Sequence, residues 1–459
     1  MKFDFSSYPV RNKGFSEQPM TILDPEPKAM LCGIMEMALI ETGSPAARER
    51  WQKIQLRNLL KHASERSAFW RKRLGGKKPS DIELASLPIL TRQEVLKQAA
   101  SEGPLLLASD GIPSTPHRTS GSSGTPVRFF VSAVSVQYNF IRSTAQYVME
   151  GRDLSLNRTR LYQSNQPVKN GFSVEESPSW MGPLATLFRS GINKNIEYLN
   201  PDAKKLIKEL ERHDIGYLAC RPLFLEWLFN LVDPAFLKRT KTKIWVANAE
   251  NISNELIRIF SSLEIPIRSV YSSDEVGPIG YGCGAFPGHL HVATSNVMVE
   301  VVDASHELDG IRLGKVLVTH LHSYATPFIR YDLGDLACLS ETCPCGHLGP
   351  TIHRLHGRLS SVLKHRDGKF SSFYIRSESL AALADFTEYR MRQTDYEKIV
   401  VEIGGRSELR PEEIGALTAF LKERAGPRFE IEVLAREKID WGESRKRHGF
   451  RSEVVSDRP

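Results

Sequence analysis

The stretch Thr119-Ser120-Gly121-Ser122-Ser123-Gly124-Thr125-Pro126 lies between a polar run, Ser114 to Arg118, and the strand-like Val127-Arg128-Phe129-Phe130-Val131. Glycine lets the backbone turn successive N–H groups toward an anion at close range, and the neighbouring hydroxyls add donors. The composition therefore fits a cradle for a polyphosphate. It lacks the Gly-Lys-Ser/Thr ending of the commonest phosphate loop, and a strand rather than a helix is predicted to follow. A phosphate site on a helix N-terminus is thus not what is being built. Taken alone, the same composition describes a Gly/Ser surface linker. The rest of the chain decides between the two.

At 459 residues the chain exceeds one typical domain and predicts two or three. Its 41% hydrophobic and 25% charged residues are those of a globular protein in water. The net charge of +7 is scattered, apart from Arg445-Lys446-Arg447-His448. That argues against a nucleic-acid partner and fits an anionic small molecule. No run approaches the roughly 18 apolar residues of a membrane span; the most apolar stretch, Ala29 to Ile40, contains Glu36. Met1-Lys2-Phe3-Asp4 opens no apolar signal core. Six cysteines in such a chain point to a reducing, cytoplasmic setting, where clustered cysteines are metal ligands more often than disulfides. A monomer or dimer is expected.

Residues 1–45, with Pro9, Pro19, Pro25 and Pro27, read as an irregular lead-in. Glu49 to Leu74 has helical spacing: Trp51, Ile54, Leu56, Leu59, Leu60, Ala63 and Phe69 form one buried face. Leu87-Pro88-Ile89-Leu90-Thr91 is a short apolar link in which Thr91 and Glu94 spell a capping box. Val131 to Glu150 is predicted helical. Strands are predicted at Ile215 to Ala219, Lys243 to Ala247 and Ile267 to Tyr271, with a helix from Asn254 to Leu263. This alternation implies a mixed or parallel sheet covered by helices. An antiparallel or barrel-like unit is expected from the alternating runs His289 to Val302 and Gly314 to Thr319. The last hundred residues read as a small α+β lobe: a strand Lys398 to Ile403, a helix Pro411 to Ala425 opened by proline, and a strand Phe429 to Leu434. The expected fold is α/β, a large multi-sheet N-terminal body (1–357) with a small C-terminal lobe (358–459).

Three further segments carry chemistry. Tyr271-Ser272-Ser273-Asp274-Glu275-Val276-Gly277 places an aromatic ring and two carboxylates at the C-terminal edge of a strand, where they can stack a base and hold Mg²⁺ on phosphate oxygens. Ile329-Arg330-Tyr331-Asp332-Leu333-Gly334-Asp335 sets Asp335 after a glycine turn, where a carboxylate can accept both hydroxyls of a ribose diol. Gly357-Arg358-Leu359-Ser360-Ser361 leads into Lys364-His365-Arg366-Asp367-Gly368-Lys369, a hairpin by its Asp-Gly pair.

In this order, and with a late lysine in the small lobe, the segments resemble the adenylate-forming superfamily of acyl-CoA synthetases. Within it they are similar to the phenylacetate-CoA ligase and CapK-like branch. The helix LLKHASERSAFWRKRL, the link LPILTRQEV and the pair CGAFPGHLHV and CPCGH all carry that resemblance, which spans roughly residues 50–455. It implies that Ser120, Gly121, Ser122, Ser123, Gly124 and Thr125 grip the ATP β- and γ-phosphates. Tyr271 would stack on adenine with Ser272 beside it, Glu275 would hold Mg²⁺, and Asp335 and Arg358 would meet the ribose and phosphates. Asn248-Ala249-Glu250 would border both nucleotide and acyl group, with Tyr217, Ala219, Arg221 and Trp245 near the acid. Ser360 falls at the family's hinge, where Asp or Lys is usual, so serine is a departure. In Ser444-Arg445-Lys446-Arg447-His448-Gly449-Phe450 the glycine before the family's lysine is replaced, and Lys446 would be the adenylation lysine.

A second constellation is metal-like: Cys283, His289 and His291, and Cys343-Pro344-Cys345-Gly346-His347. Two short ligand groups suit a tetrahedral, structural Zn²⁺. Either histidine can reach in; the preferred set is Cys283, His291, Cys343 and Cys345. The expected activity is ATP-dependent activation of a carboxylic acid, aromatic or otherwise small, as its acyl-adenylate. Transfer to a thiol follows, either coenzyme A or the phosphopantetheine of a carrier protein. The altered hinge and lysine segments leave two alternatives: a ligase with a non-thiol acceptor, and a non-catalytic binding relative.

Overall fold

The middle of the chain builds the parallel half of one twelve-stranded sheet. Strands Arg158–Gln163, Asn193–Tyr198, Tyr217–Cys220, Ile244–Asn248 and Ile267–Ser273 run parallel there, and Phe172–Ser177 closes the edge antiparallel. The computed structural model describes residues 25–101, 113–119, 126–164, 168–186, 189–199, 201–229, 231–248, 252–308, 311–358, 362–367, 369–373, 375, 377–441 and 449–454.

The expected antiparallel unit is a continuation of this same sheet. After Ser273 the chain turns through Gly277, at φ +69°, and Gly277–Gly282 folds back onto Ile267–Ser273. Only glycine adopts that conformation freely. The edge of the parallel half is thereby paired, and Leu290–Val292, Thr351–Arg358, Tyr331–Ser340, Ile311–His320 and Val297–Leu308 extend the sheet in antiparallel fashion.

Two cores cover the parallel half, one on each face, because successive strand side chains point to opposite sides. Leu218 and Trp245 pack with Phe224, Phe236, Leu256 and Phe260, and Tyr217 packs with Ile141, Ala145, Trp180 and Met181. The second core includes Met30, Ile34, Met37 and Ala38 from a helix, Pro25–Thr42, where an irregular lead-in was expected. Pro25 and Pro27 do not break it, since the N–H groups of a first helical turn have no intrahelical acceptor. The run predicted as one helix over 49–74 is split into Pro45–Arg66 and Ala68–Arg73. Ser67 is extended at φ −122°, and its hydroxyl accepts the N–H of Trp70 at 3.2 Å, capping the second piece. The predicted helix over 131–150 begins at Ala133, its first residues being strand Arg128–Ser132.

The C-terminal elements follow the expected boundaries. Lys398–Gly404 sits between Glu388–Asp395 and Glu430–Arg436 in a four-stranded sheet, and the helix Pro411–Ala425 covers it through Leu417 and Leu421. The predicted hairpin pairs Val362–Lys364 with Phe370–Ser372. Its first strand serves two cores. Val362 packs against Leu308, Leu313 and Leu336, with Phe370 beside it, whereas Leu363 joins the core of the C-terminal sheet. Lys364 is gripped on the latter side: its N–H donates to Gln393 Oε1 at 3.0 Å, and Gln393 Nε2 returns a bond to its carbonyl at 2.7 Å.

Candidate active site and metal cluster

Docking of the apolar link sets the first part of the site. Leu90 N–H donates to the carbonyl of Arg330 at 2.9 Å, and Asp332 N–H donates to that of Leu90 at 3.0 Å. The buried Arg330 locks this arrangement through Glu300, with Nε–Oε2 at 3.0 Å, and through the carbonyls of Ala85 and Leu87. Thr91 then caps the helix Arg92–Ser101 as the sequence predicts. Glu94 N–H donates to Thr91 Oγ1 at 3.2 Å, and Thr91 N–H to Glu94 Oε2 at 2.8 Å. The capped helix begins with Arg92, whose guanidinium stands 3.8 Å from Oε1 of Glu275.

Glu275 is largely buried, its side chain 9% exposed, and the same Oε1 accepts the Tyr331 hydroxyl at 3.3 Å. Burial, with the Glu275 carboxylate adding to it, pushes the tyrosine's ionisation far above its ordinary range, so Tyr331 stays a neutral donor. Among the described residues the other oxygen, Oε2, accepts no hydrogen bond. A carboxylate oxygen left outside these bonds suits Mg²⁺, which is usually held by one or two carboxylates together with phosphate oxygens. Beside it, the Tyr271 hydroxyl donates to Asp335 Oδ2 at 2.6 Å, and Asp335 faces Arg358 across the strand ladder. The segments 271–275 and 331–335 thus meet at both ends, Tyr271 with Asp335 and Glu275 with Tyr331, and the backbone of Arg358 lies opposite Asp335. Arg92 and Tyr331 were not singled out as site residues, although the motifs LTRQE and RYDLGD contain them.

Ser120 to Thr125, Ala249, Glu250, Ser360 and Lys446 lie outside the described residues. What flanks the glycine-rich segment is a β-hairpin, Ser114–Arg118 paired with Arg128–Ser132, so the polar run before it is itself a strand. Its last rungs are Thr119 N–H to Val127 carbonyl at 2.9 Å and Val127 N–H to Thr119 Oγ1 at 3.0 Å. Asn248 ends its strand opposite Val270, close to Tyr271 in the neighbouring strand, and Ser272 is exposed.

The acyl-pocket expectation is corrected in part. Tyr217 and Trp245 face opposite sides of the sheet, so their rings cannot line one pocket. Trp245 is fully buried against Phe260, ring centroids 4.4 Å apart. Tyr217 donates its hydroxyl to the carbonyl of Asp153 at 3.0 Å. Ala219 shares the Tyr217 face, and Arg221 follows the strand immediately before the helix Pro222–Phe229.

The metal-like residues converge. One ligand atom each from Cys283, His291, Cys343 and Cys345 lies within 4.8 Å of all the others. Cys343 and Cys283 sulfurs are 3.9 Å apart, too far for a disulfide and close to the roughly 3.8 Å edge of a tetrahedron with Zn–S bonds of about 2.3 Å. Cys345 Sγ to His291 Nε2 is 3.4 Å, near the edge of about 3.5 Å that mixed sulfur and nitrogen ligation gives. His289 approaches Cys343 to 3.5 Å but instead stacks on Phe286. The donor set, three thiols and one imidazole, fits Zn²⁺ with no open position. The cluster clamps two turns, 283–289 and 341–350, that join neighbouring strands.

No family model matches the sequence, and no curated protein matches it. Solved structures do match in fold. A 2-hydroxyisobutyryl-CoA ligase in the postadenylation state, in complex with 2-HIB-AMP, superposes with a TM-score of 0.61 at 17% identity, over 92% of this chain and 92% of that one. An open conformation of the same ligase with 2-HIB-AMP and CoA gives 0.53 at 18% identity, over 90% and 93%. The GH3.15 acyl acid amido synthetase gives 0.52 at 13% identity, over 88% and 89%. The chain therefore has the α/β fold of adenylate-forming ligases. No described helix is long and apolar enough to cross a membrane.

Proposed function

We propose that the protein activates a carboxylic acid with ATP and passes the acyl group to a thiol, in the manner of the phenylacetate-CoA ligase and CapK-like branch. The observation that carries this reading is the convergence of Tyr271, Glu275, Tyr331 and Asp335, with Arg92, from segments far apart in sequence. A base-stacking ring, a diol-accepting carboxylate and a metal-ready carboxylate are the three things a nucleotide triphosphate needs from a strand edge.

In this reading the Tyr271 ring faces the adenine and Asp335 holds the ribose, with Arg358 opposite. The Ser120 to Thr125 segment takes the β- and γ-phosphates. Mg²⁺ at Glu275 would neutralise phosphate charge. The acid's oxygen attacks the α-phosphorus and pyrophosphate leaves; a thiol of coenzyme A or of carrier-protein phosphopantetheine then attacks the acyl carbon, and AMP departs. Lys446 supplies a positive charge where negative charge develops in the first step, which lowers the barrier rather than tightening ground-state binding. Ser360 is the pivot about which the C-terminal lobe presents first Lys446 and then another face. Zn²⁺ in the cysteine cluster is structural.

ATP–pyrophosphate exchange across a panel of carboxylic acids tests the reading. Exchange dependent on at least one acid is expected; none with any acid would reject it. Product mass with and without coenzyme A then separates a thiol acceptor from an amine or sugar acceptor.

A further inference from the structure

Glu275 is the middle residue of the three, Asp274 to Val276, that join the strands Ile267–Ser273 and Gly277–Gly282. Its own side-chain contacts are long, 3.3 Å to the Tyr331 hydroxyl and 3.8 Å to the Arg92 guanidinium. Contacts of that length restrain weakly, so where this carboxylate stands depends on the backbone beneath it. Within the turn, Val276 N–H donates to Ser273 Oγ at 3.3 Å. From outside, the turn is held by Asn296. Its Nδ2 donates to the carbonyls of Val276 at 2.9 Å and Pro278 at 2.7 Å, one on each side of the positive-φ Gly277.

Asn296 is fully buried, and its Oδ1 meets no donor among the described residues. A buried amide oxygen left unpaired is costly. Two carbonyl acceptors nevertheless fix which way the amide faces, and both of its donors serve the one turn. Asn296 is itself held in place: its N–H donates to the Ala293 carbonyl at 2.8 Å, and its carbonyl accepts Leu321 N–H at 3.0 Å. Immediately before it, Thr294 and Ser295 are clamped by Glu41 of the helix Pro25–Thr42. Glu41 Oε2 accepts the N–H and hydroxyl of Thr294 at 3.2 and 2.8 Å, and Oε1 accepts those of Ser295 at 2.8 and 2.6 Å. Four donors thus satisfy a buried carboxylate. A run of hydrogen bonds leads from that helix, through residues 294–296, to the residue that follows Glu275.

Mg²⁺ demands oxygen ligands at about 2.1 Å in near-octahedral geometry. Outer residues that orient a metal ligand govern affinity by about ten- to a hundredfold. We propose that Asn296 is a positioning residue for Glu275, with Glu41 holding the segment from which it acts, so that the two set how tightly the divalent cation of Mg·ATP is taken. This rests on the nucleotide reading above, and the experiment separates the two. The Kd of a non-hydrolysable ATP analogue is measured by titration calorimetry with Mg²⁺ in excess and with EDTA, and the ratio of the two reads what Mg²⁺ adds. The wild type is expected to bind more tightly with Mg²⁺, and Glu275→Gln to lose most of that gain. Asn296→Leu should lower the ratio about tenfold, with the Kd in EDTA changed little, and Glu41→Gln should lower it severalfold. In a Glu275→Gln background Asn296→Leu should change the ratio no further, because a positioning residue acts only through the group it positions. A role confined to the fold would lower the melting temperature and leave the ratio alone. An unchanged ratio in Asn296→Leu overturns the proposal, as does an equal loss in both backgrounds; either leaves the nucleotide reading standing. If Asn296→Leu does not fold, Glu41→Gln takes its place in the same comparison. A ratio that Glu275→Gln leaves intact removes Glu275 from metal binding and the proposal with it, and a wild type that does not bind the analogue removes the nucleotide reading as well.

Discussion

At the level of single side chains, the bond from the Tyr271 hydroxyl restrains the Asp335 carboxylate. Tyr271→Phe keeps the ring for stacking and removes that restraint. A hydrogen bond to a charged group is worth about 1.5 kcal/mol at the low end, which suits a partly exposed site. The KM for ATP in the exchange reaction should therefore rise on the order of tenfold, with kcat changed less; an unchanged KM would remove the restrained carboxylate from the account. His322 gives a pH dependence. Its imidazole stacks on Tyr138 at 4.0 Å and meets the carbonyl of Ser295 at 3.1 Å. Burial lowers it to about 4, offset only partly by the Ser295 bond, with the Arg142 charge lowering it further. Between the ordinary value near 6.5 and 4, the unfolded chain binds a proton that the folded chain refuses, so stability falls as pH falls. The loss approaches about 3 kcal/mol near pH 4. Denaturant unfolding at pH 7 and pH 4.5 should show this, and His322→Gln should have the shallower pH dependence; an equal slope would assign the acid lability elsewhere. Glu275, Asp335 and the four metal-type ligands were legible because each sits in a short run whose neighbours declare a turn. Tyr217 and Trp245 were misplaced because strand alternation, not residue type, decides which core a ring joins.

The elements themselves follow local signals closely. The Thr91–Glu94 box, the Asp367-Gly368 hairpin and the proline-opened helix Pro411–Ala425 all form where short-range chemistry places them. Two misreadings have one origin: prolines at 25 and 27, and a serine at 67, mean different things inside a helix and at its end. The cysteine cluster is the element-scale device with the clearest test. It joins the turn after Gly277–Gly282 to the turn after Tyr331–Ser340, so ligation would hold two strand connections together. Purified protein should contain about one zinc per chain. Cys343→Ser should lower zinc content and melting temperature together, without a selective loss of ATP affinity, because metal binding free energy is folding free energy. Metal-free protein of unchanged stability would dismiss the ion.

For the whole molecule, the two half-reactions proposed above would make separable demands on the C-terminal lobe. Lys446→Ala should cut adenylation by on the order of a hundredfold while sparing thioester formation from supplied acyl-adenylate, since the charge it meets develops only in the first step. Equal loss in both halves would remove it from that role. Ser360→Pro fixes φ near −65° and should trap one orientation. Pyrophosphate exchange is expected to persist while thioester formation falls tenfold or more, about 1.4 kcal/mol on the second barrier; wild-type thioester rates would end the two-orientation account. The hairpin Val362–Lys364 and Phe370–Ser372 adds a term to that motion. It is held to the C-terminal sheet by Leu363 and by both main-chain bonds of Lys364, but to the body chiefly by Val362 and Phe370. A turning lobe would therefore carry the hairpin along and tear open the weaker seam. Exposing those two apolar groups costs about 3 kcal/mol, on the order of a hundredfold in population. On the proposed two-orientation cycle the seam would act as a latch, holding the lobe in one orientation until Val362, a residue assigned no substrate contact, lets go.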